Sequence, residues 1–392
     1  MVEKRRVTVA EFEAQAAATD QLDFNDSQTP LLGLVGEFGS LVSALKKKRR
    51  DTDAFFGYHE AVVEELGDVL WYISTVARRG GTSLAKNLAC VTGSSTAAEP
   101  LCFDDLVASD DIANQRDLEL SLLRLASEAG DLAKRFVEGA YRNNVLALRG
   151  DLVKLLRPLM QAAAAAAVSF EEAALNNVRK TEDRWPTNRR FPIPEDELLQ
   201  IDEQLPRKMR VLIYERKVNG TKFVFQKMGG VVLGDRLTDN HFPADDYRFH
   251  DVFHFAHAAV LGWSPTTRAL LKIKRKSQKE IDENEDGARA NLIEEGLTTW
   301  IFETAKRHRF FANTPKLGLD LLKNVKQFVR GYEAEKLPMW LWESAILQGY
   351  EVFRELREKR SGAVAADMPK RRIWFEPMTD DERLLCGLDI SG

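Results

Sequence analysis

Acidic side chains stand at helical spacing among apolar residues near the start of this chain. Glu37 lies within one apolar-periodic stretch, and Glu65 and Asp68 lie three residues apart on the next, so these two project from one helix face. Buried carboxylates are costly unless they are paired or bind a cation. Carboxylates, phosphate oxygens and water together suit magnesium. The spacing alone leaves two interpretations open, a magnesium site or acids on a solvated helix edge.

Two amphipathic helices must position these acids. Apolar residues recur at helical spacing over residues 31–45 and again over 62–73, and a basic, polar segment separates the two stretches. A further helix is predicted over residues 8–20, entered at Thr8, and residues 20–30 are predicted to form a loop.

The residues around the acids resemble those of a known family. GEFGSL at residues 36–41 and EELGDVLWY at residues 64–72 are similar to motifs of the MazG-like all-α nucleoside triphosphate pyrophosphohydrolases. Their pattern is ExxE on one helix and ExxD on the next. The positions that match are Glu37, Glu65 and Asp68. Ser40 stands where the family has its second glutamate, so this copy has three of the four acids.

A second copy of the pattern follows in the chain. Residues 122–136 align without a gap with residues 31–45, and residues 148–156 align with the ExxD segment. The acids of the second copy are Glu128, Asp131 and Asp151. Leu148 stands at the position of Glu65, so each copy lacks a different acid. The sequence therefore predicts two MazG-like repeats, residues 1–95 and 100–190.

The second repeat ends in a segment that resembles the family's closing motif, N-x-x-K-x-x-x-R-W. The matching residues are Asn177, Lys180, Arg184 and Trp185. In the first repeat only Asn87 matches, and Cys90 occupies the lysine position. The resemblance implies that Lys180 and Arg184 neutralise a triphosphate, because lysine and arginine both bind phosphate. For Trp71 two roles stay open, stacking on a base or packing in the core.

The resemblance implies hydrolysis of a nucleoside triphosphate between its α- and β-phosphates, which gives a monophosphate and pyrophosphate. Magnesium, with manganese as an alternative, would be the cofactor. The implied metal-ligating and catalytic residues are Glu37, Glu65, Asp68, Glu128, Asp131 and Asp151. Either both repeats are active, or one is a scaffold, or one composite site joins the ExxD pair of the first repeat to Lys180 and Arg184 of the second.

The C-terminal half begins with a different pattern. Residues 207–228 alternate around Asn219-Gly220, which predicts a β-hairpin. Further helices are predicted over residues 247–261, 265–305, 316–331 and 338–360, with a break near Gly287 or Gly296. Residues 191–365 resemble the C-terminal extension of some MazG-like proteins. No particular activity follows from this resemblance. Residues 366–392 are predicted as a tail, and the segment from Ser361 is expected to be mobile.

A histidine stripe marks this half. His250, His254 and His257 share one helix face, with Asp251 beside them. The partners expected on a later helix include Glu294 and Glu295. Such a set would bind a transition metal or supply acid–base groups, or else the histidines pack in an aromatic core. The pattern is not HExxH, and no zinc protease is predicted.

Composition sets the outer limits. The chain has 392 residues, 44% hydrophobic and 30% charged, with a net charge of −4. This balance is typical of globular domains and gives no signal for general binding to nucleic acid or anionic membrane. The three cysteines lack metal-site spacing, which favours a reducing cytoplasm. No apolar stretch is long enough to span a membrane.

The predicted fold is therefore mainly α, a tandem MazG-like helical bundle followed by an α-rich domain with a small β-hairpin. The leading functional hypothesis is a nucleotide pyrophosphohydrolase, a hydrolase acting on acid anhydrides, which controls nucleotide pools as a monomer or homodimer. An alternative is a nucleotide sensor that regulates a separate activity, such as a metal-dependent hydrolase, in the C-terminal domain, for example in phage defence.

Overall fold

The computed structural model describes residues 6–93, 100–106 and 118–389. The chain divides into two compact units, Met1–Arg189 and Arg190–Gly392. The structure is mainly α with one small antiparallel sheet, as the sequence predicts. The helices of the N-terminal unit are α1 Val9–Ala18, α2 Gln28–Asp51, α3 Tyr58–Arg79, α4 Leu84–Thr92, α5 Leu118–Val137, α6 Val145–Ala165 and α7 Phe170–Arg184.

Local sequence explains where these helices begin. Thr8 caps α1 in a capping box with Glu11, which confirms the predicted entry. Ser83 caps α4 and Ser169 caps α7, each by accepting a hydrogen bond from the backbone N–H three residues later. Most apolar residues of α2 and α3 are buried in one core that the seven described helices share, whereas Leu32, Val35 and Val42 on α2 are exposed.

Helices α2, α3 and α4 of the first predicted repeat correspond to α5, α6 and α7 of the second, and the two sets exchange partners. Within each set the first two helices pack together, α2 on α3 and α5 on α6. The third helix of each set packs on the second helix of the other, α7 on α3 and α4 on α6. At Gly67, α3 and α7 approach so closely that a Cβ would lie 2.5 Å from the carbonyl oxygen of Ala173. This exchange carries residues of the second repeat to the acids of the first.

The C-terminal unit contains a five-stranded antiparallel sheet in the order β3-β2-β1-β4-β5. The strands are β1 Lys208–Val218, β2 Thr221–Met228, β3 Val231–Val232, β4 Ser361–Asp367 and β5 Arg372–Glu376. The predicted hairpin is confirmed: β1 pairs with β2, and Asn219 and Gly220 turn between them with positive φ. The sheet is larger than the hairpin that the sequence predicts.

The prediction of a mobile segment from Ser361 onward is wrong. Ser361–Asp367 is the strand next to β1, and β5 follows it across the predicted tail boundary at residue 366. The segment is short and alanine-rich, so its pattern alone does not distinguish a loop from a buried strand. Because β4 lies between β1 and β5, the small side chains Ala363, Ala365 and Ala366 are buried.

The helices of this unit are α8 Asp251–Ala256, α9 Pro265–Leu271, α10 Lys279–Asn284, α11 Ala288–Arg307, α12 Leu319–Phe328, α13 Met339–Lys359 and α14 Asp380–Leu385. A π-helical turn, His257–Leu261, continues α8. The single helix predicted over residues 265–305 is wrong, because it is divided into α9, α10 and α11. Gly287 lies at one break as predicted, whereas Gly296 lies inside α11.

A buried core of aromatic and aliphatic residues from α8, α11, α12 and α13 lies against the sheet. No single helix in the described part of the chain is both long and apolar enough to cross a membrane. Helices α6 and α7 would meet that criterion only as a pair, and they are bent by 98° relative to each other.

Candidate functional site

The acids Glu37, Glu65 and Asp68 meet between α2 and α3. Each offers a carboxylate oxygen, and these oxygens lie within 4.8 Å of one another. All three side chains are half-buried, so the cluster opens to solvent on one side. The structure thus brings together the three acids that the sequence predicts for the first repeat. Three hard oxygen donors at this separation fit a magnesium ion with water and phosphate completing its shell.

The surroundings of Glu65 favour its protonated form. Burial raises its pKa to about 8, together with a hydrogen bond to Glu37 and the negative charges of Glu37, Asp68 and Glu64. Glu65 therefore carries a proton at neutral pH and shares it with Glu37. A divalent cation would replace that proton and balance the remaining charge.

Two residues of the second repeat reach this cluster from α7. Asn177 donates a hydrogen bond from Nδ2 to Asp68 Oδ1 at 2.7 Å, and Lys180 Nζ forms an ion pair with the same carboxylate. Lys180 Nζ also lies 3.3 Å from Glu64 Oε1. Burial alone would lower the pKa of Lys180, but Asp68 and Glu64 outweigh it and raise the pKa. The lysine is therefore a cation held beside the acids.

Sequence reasoning missed Glu64 as a partner of Lys180. The acidic pair at residues 64 and 65 was the available signal, because adjacent helical residues project in different directions. Glu65 turns toward Glu37, whereas Glu64 turns toward α7.

The other predicted substrate-binding residues lie at different depths. Arg184 is 4% exposed, and its guanidinium lies 5.6 Å from the ring centroid of Trp185. Trp71 packs edge-to-face on Tyr72 with 4.9 Å between the ring centroids and lines the hydrophobic core. The Tyr72 ring lies directly over Gly33, where a Cβ would be 2.2 Å from it. These contacts favour the packing role for Trp71 rather than the stacking role.

The second set of predicted ligands does not form a matching cluster. Among the described residues, three groups of histidines and carboxylates have ligand atoms within 4.8 Å, and none includes Glu128, Asp131 or Asp151. Asp151 is buried and already neutralised. Its carboxylate lies 2.6 Å from Arg135 and 3.2 Å from Lys154. The metal site expected in the second repeat is thus not assembled in this structure.

Tyr141 completes the environment of Asp151. Its hydroxyl donates a hydrogen bond to Asp151 Oδ2 at 2.8 Å. Burial and that carboxylate raise the pKa of Tyr141. The family pattern gave no signal for Tyr141, which lies in the connection between the aligned segments. It gave none for Arg135 either, because Arg135 aligns with Ala44 and matches no residue of the family motifs.

The histidine stripe of the C-terminal unit forms a second cluster against α11. His257 Nδ1 lies 2.8 Å from Glu294 Oε1, and His254 Nδ1 lies 3.1 Å from the same oxygen. On the other side of its ring, His254 Nε2 lies 3.4 Å from Glu295 Oε1. His250 Nε2 lies 3.9 Å from Glu295 and 3.2 Å from Asp251. The structure therefore brings all six predicted residues of this stripe together.

Glu294 is the buried centre of this cluster. Besides its hydrogen bond with His257, it accepts hydrogen bonds from Ser264 Oγ at 3.0 Å and from the Thr266 backbone N–H at 2.9 Å. Burial would raise the pKa of Glu294, but His254 and His257 outweigh it and lower the pKa. Sequence patterns did not indicate Ser264 and Thr266, which lie where the chain leaves the π-helical turn and enters α9.

Comparison with known proteins bears on the C-terminal unit. Residues 191–379 match the family model described as the MazG C-terminal domain. No curated protein and no solved structure shows a significant match to the chain. The match supports a MazG-related protein and a function connected with nucleotides.

Proposed function

We propose that this protein is a metal-dependent nucleoside triphosphate pyrophosphohydrolase whose active site is built from both repeats of the N-terminal unit. The observation that carries the proposal is the contact of Asn177 and Lys180 with Asp68, beside the cluster of Glu37, Glu65 and Asp68. A cation-binding acid cluster next to a buried lysine provides for both the metal and the phosphates of a nucleotide.

The proposed roles follow from position and charge. Glu37, Glu65 and Asp68 would hold magnesium, which neutralises phosphate charge and lowers the pKa of a bound water. Glu65 would lose its proton when the ion binds. Lys180 pairs with Asp68 in the structure, and it would transfer part of its interaction to a phosphate oxygen of the substrate. Asn177 would keep Asp68 oriented through its amide hydrogen bond.

In this proposal the second repeat supplies residues to the first site and has no metal site of its own. Arg135 and Lys154 already provide the positive charge that a metal would bring to Asp151. The acids Glu128 and Asp131 would then belong to the scaffold. The products would be a nucleoside monophosphate and pyrophosphate, formed by water attack between the α- and β-phosphates.

The test is a product analysis with the full-length protein and magnesium. A panel of ribo- and deoxyribonucleoside triphosphates is incubated with the protein, and pyrophosphate and orthophosphate are measured separately. Equal amounts of monophosphate and pyrophosphate are expected for at least one triphosphate. Tight triphosphate binding without pyrophosphate release would contradict the proposal and would support a nucleotide sensor.

A further inference from the structure

We infer that the C-terminal unit holds a divalent transition-metal ion through His250 Nε2, His254 Nε2 and a carboxylate oxygen of Glu295. These three residues form one of the described groups whose ligand atoms lie within 4.8 Å of one another. Imidazole nitrogens favour zinc, iron, cobalt, nickel and copper over magnesium. The site is therefore distinct in chemistry from the carboxylate cluster of the N-terminal unit, and it does not depend on the proposed hydrolase function.

His250 is oriented as a metal-ligating histidine usually is. Its Nδ1 lies 2.9 Å from the carbonyl oxygen of Tyr247, so that nitrogen donates its proton to the backbone. The Tyr247 ring stacks on the imidazole at 4.3 Å with an interplanar angle of 2°, which fixes the plane of the ring. The lone pair of Nε2 then faces Glu295 and Asp251. A metal ligand typically has its second ring nitrogen bonded in this way.

His254 has ring nitrogens that the surrounding protein does not satisfy. Its side chain is 1% exposed, and neither Nδ1 nor Nε2 has a partner in hydrogen-bond geometry among the described residues. The oxygens of Glu294 and Glu295 lie at 3.1 and 3.4 Å on opposite sides of the ring. A buried polar group without hydrogen bonds is costly. A metal ion on Nε2, with Glu294 behind Nδ1, would remove that cost.

The charges around the stripe also call for a cation. Asp251, Glu294 and Glu295 converge on the three histidines, and in the part of the chain that is described no lysine or arginine forms an ion pair with any of these carboxylates. Either the histidines carry extra protons, or a metal ion supplies the positive charge. His250 Nε2 and Asp251 Oδ1 lie 3.2 Å apart, and each presents a lone pair to the other. They repel each other unless a proton or a metal ion lies between them.

Two groups of ligands are available, an outer one of His250, His254 and Glu295 and an inner one of His254, His257 and Glu294. Solvent exposure favours the outer group. His257 and Glu294 are buried, and the hydrogen bonds of Glu294 to Ser264 and Thr266 already hold it in place. Glu295 is 40% exposed at its side chain, so an ion on the outer group can enter from solvent and retain a water. Glu294 and His257 would then act as positioning residues for His254.

Asp251 stands beside the proposed ion as a candidate proton acceptor. It follows His250 directly, and His254 comes three residues later, so the order is H-D-x-x-H on one helix. In the related H-E-x-x-H arrangement the two histidines bind zinc and the acid is a general base. Gln226 donates a hydrogen bond to Asp251 Oδ2, which leaves Oδ1 directed at His250 Nε2. In this chain an aspartate stands where the H-E-x-x-H arrangement has a glutamate. Its shorter side chain changes the distance between the carboxylate and the proposed ion.

The test measures metal binding to the full-length protein. Metal-free protein is titrated with Co²⁺, and the visible absorption bands that nitrogen ligation produces are recorded. In a second experiment the protein is dialysed with Zn²⁺, and the amount of Zn²⁺ bound per chain is measured. We expect one ion per chain for the wild type. His250→Gln and Glu295→Gln, both at the more open side of the site, should each weaken Co²⁺ binding by at least about 100-fold, since each removes a direct ligand.

Two further variants make the result specific. His308→Ala, an exposed histidine outside the stripe, should bind the ion as the wild type does. Ser264→Ala removes one hydrogen bond from Glu294 and should weaken binding by about 10-fold, as outer-shell changes do. The inference is overturned if the wild type binds no Co²⁺ or Zn²⁺, or if His250→Gln and Glu295→Gln bind it unchanged. A metal-free stripe would instead be a structural ion-pair cluster.

Discussion

The two repeats of the N-terminal unit place the same kind of carboxylate in opposite surroundings. Asp68 lies in a cluster of acids, and the positively charged side chain that pairs with it among the described residues is Lys180. Its repeat equivalent, Asp151, lies between Arg135 and Lys154 and accepts a hydrogen bond from Tyr141. The first surrounding has excess negative charge, whereas the second is already neutral. Sequence alignment equates the two aspartates, but only their neighbours decide which can bind a cation.

The exchange of α4 and α7 places different polar side chains beside α3 and α6. Helix α7 brings Asn177 and Lys180 to the first cluster, and α4 lies correspondingly on α6. In α4, Cys90 replaces the lysine, and it contacts Arg149. Asn87, the equivalent of Asn177, has its oxygen within 3.3 Å of Thr82 Oγ1. One set of polar groups is therefore assembled around a site, and the other is absorbed into local contacts.

The largest effect should come from exchanging the cluster acid for its amide. Glu65→Gln removes one of three metal ligands, and we expect pyrophosphate release to fall by about 100-fold or more. Asp151→Asn, in the second repeat, should retain the rate of the wild type within about threefold, a difference of less than 1 kcal/mol. Rates are measured at saturating magnesium. Equal losses in both variants would show that the repeats do not differ as proposed.

The lysines beside the two aspartates, Lys180 beside Asp68 and Lys154 beside Asp151, should differ in the same way. Lys180→Ala should reduce the rate of pyrophosphate release by about 10- to 100-fold, the size expected when a charge-assisted hydrogen bond of about 1.5–3 kcal/mol is lost. Lys154→Ala, an exposed lysine beside Asp151, is the matched control and should have little effect. A full rate in Lys180→Ala would separate the second repeat from the active site and would end the composite model.

Adding the acid that the first repeat lacks should strengthen metal binding. Ser40 lies one helical turn after Glu37, so Ser40→Glu directs a fourth carboxylate toward the same face of α2. We expect about fivefold tighter binding of Mn²⁺, equivalent to about 1 kcal/mol of added attraction. The measurement is calorimetric titration. Ser43→Glu, on the same helix but another turn along, tests whether added charge alone is enough; equal gains would rule out a positional effect.

The smallest expected effect concerns pH. The pKa of Glu65 is raised from its usual 4.5 to about 8 in the folded protein. Between pH 4.5 and pH 8, Glu65 is therefore protonated in the metal-free folded state and ionised in the unfolded chain. Its contribution to stability is therefore present below pH 4.5 and is lost as the pH rises through 8. In EDTA, the melting temperature should fall by about 1–2 °C more in wild type than in Glu65→Gln between pH 5.5 and 8.5. A larger fall in Glu65→Gln would contradict the assigned proton.

Much of this arrangement was predictable from sequence, and the remainder depends on tertiary contacts. The acids on α2 and α3, the Thr8 cap and the Asn219-Gly220 hairpin follow from local spacing and turn chemistry. The strand Ser361–Asp367 was missed because small residues carry little periodic signal until a partner strand covers them. The break between α10 and α11 at Gly287 was predicted, whereas the break between α9 and α10 was missed because this stretch has a continuous polar helical pattern.

The candidate site shows the same limit. The sequence identifies Glu37, Glu65 and Asp68 and assigns Glu128, Asp131 and Asp151 to an equivalent set. It does not reveal that Arg135, which is sixteen residues from Asp151 in sequence, neutralises that aspartate. Such a pairing is decided by how two helices pack, and a repeat alignment compares positions rather than neighbours.

Whether only the first repeat binds the catalytic metal can be measured by titrating the full-length protein with Mn²⁺ in the presence of a non-hydrolysable nucleoside triphosphate. Free Mn²⁺ is followed by its electron paramagnetic resonance. Glu37→Gln and its repeat equivalent Glu128→Gln are compared with the wild type. We expect one triphosphate-dependent Mn²⁺ per chain in the wild type and in Glu128→Gln, and its loss in Glu37→Gln. Loss in Glu128→Gln with retention in Glu37→Gln would contradict it.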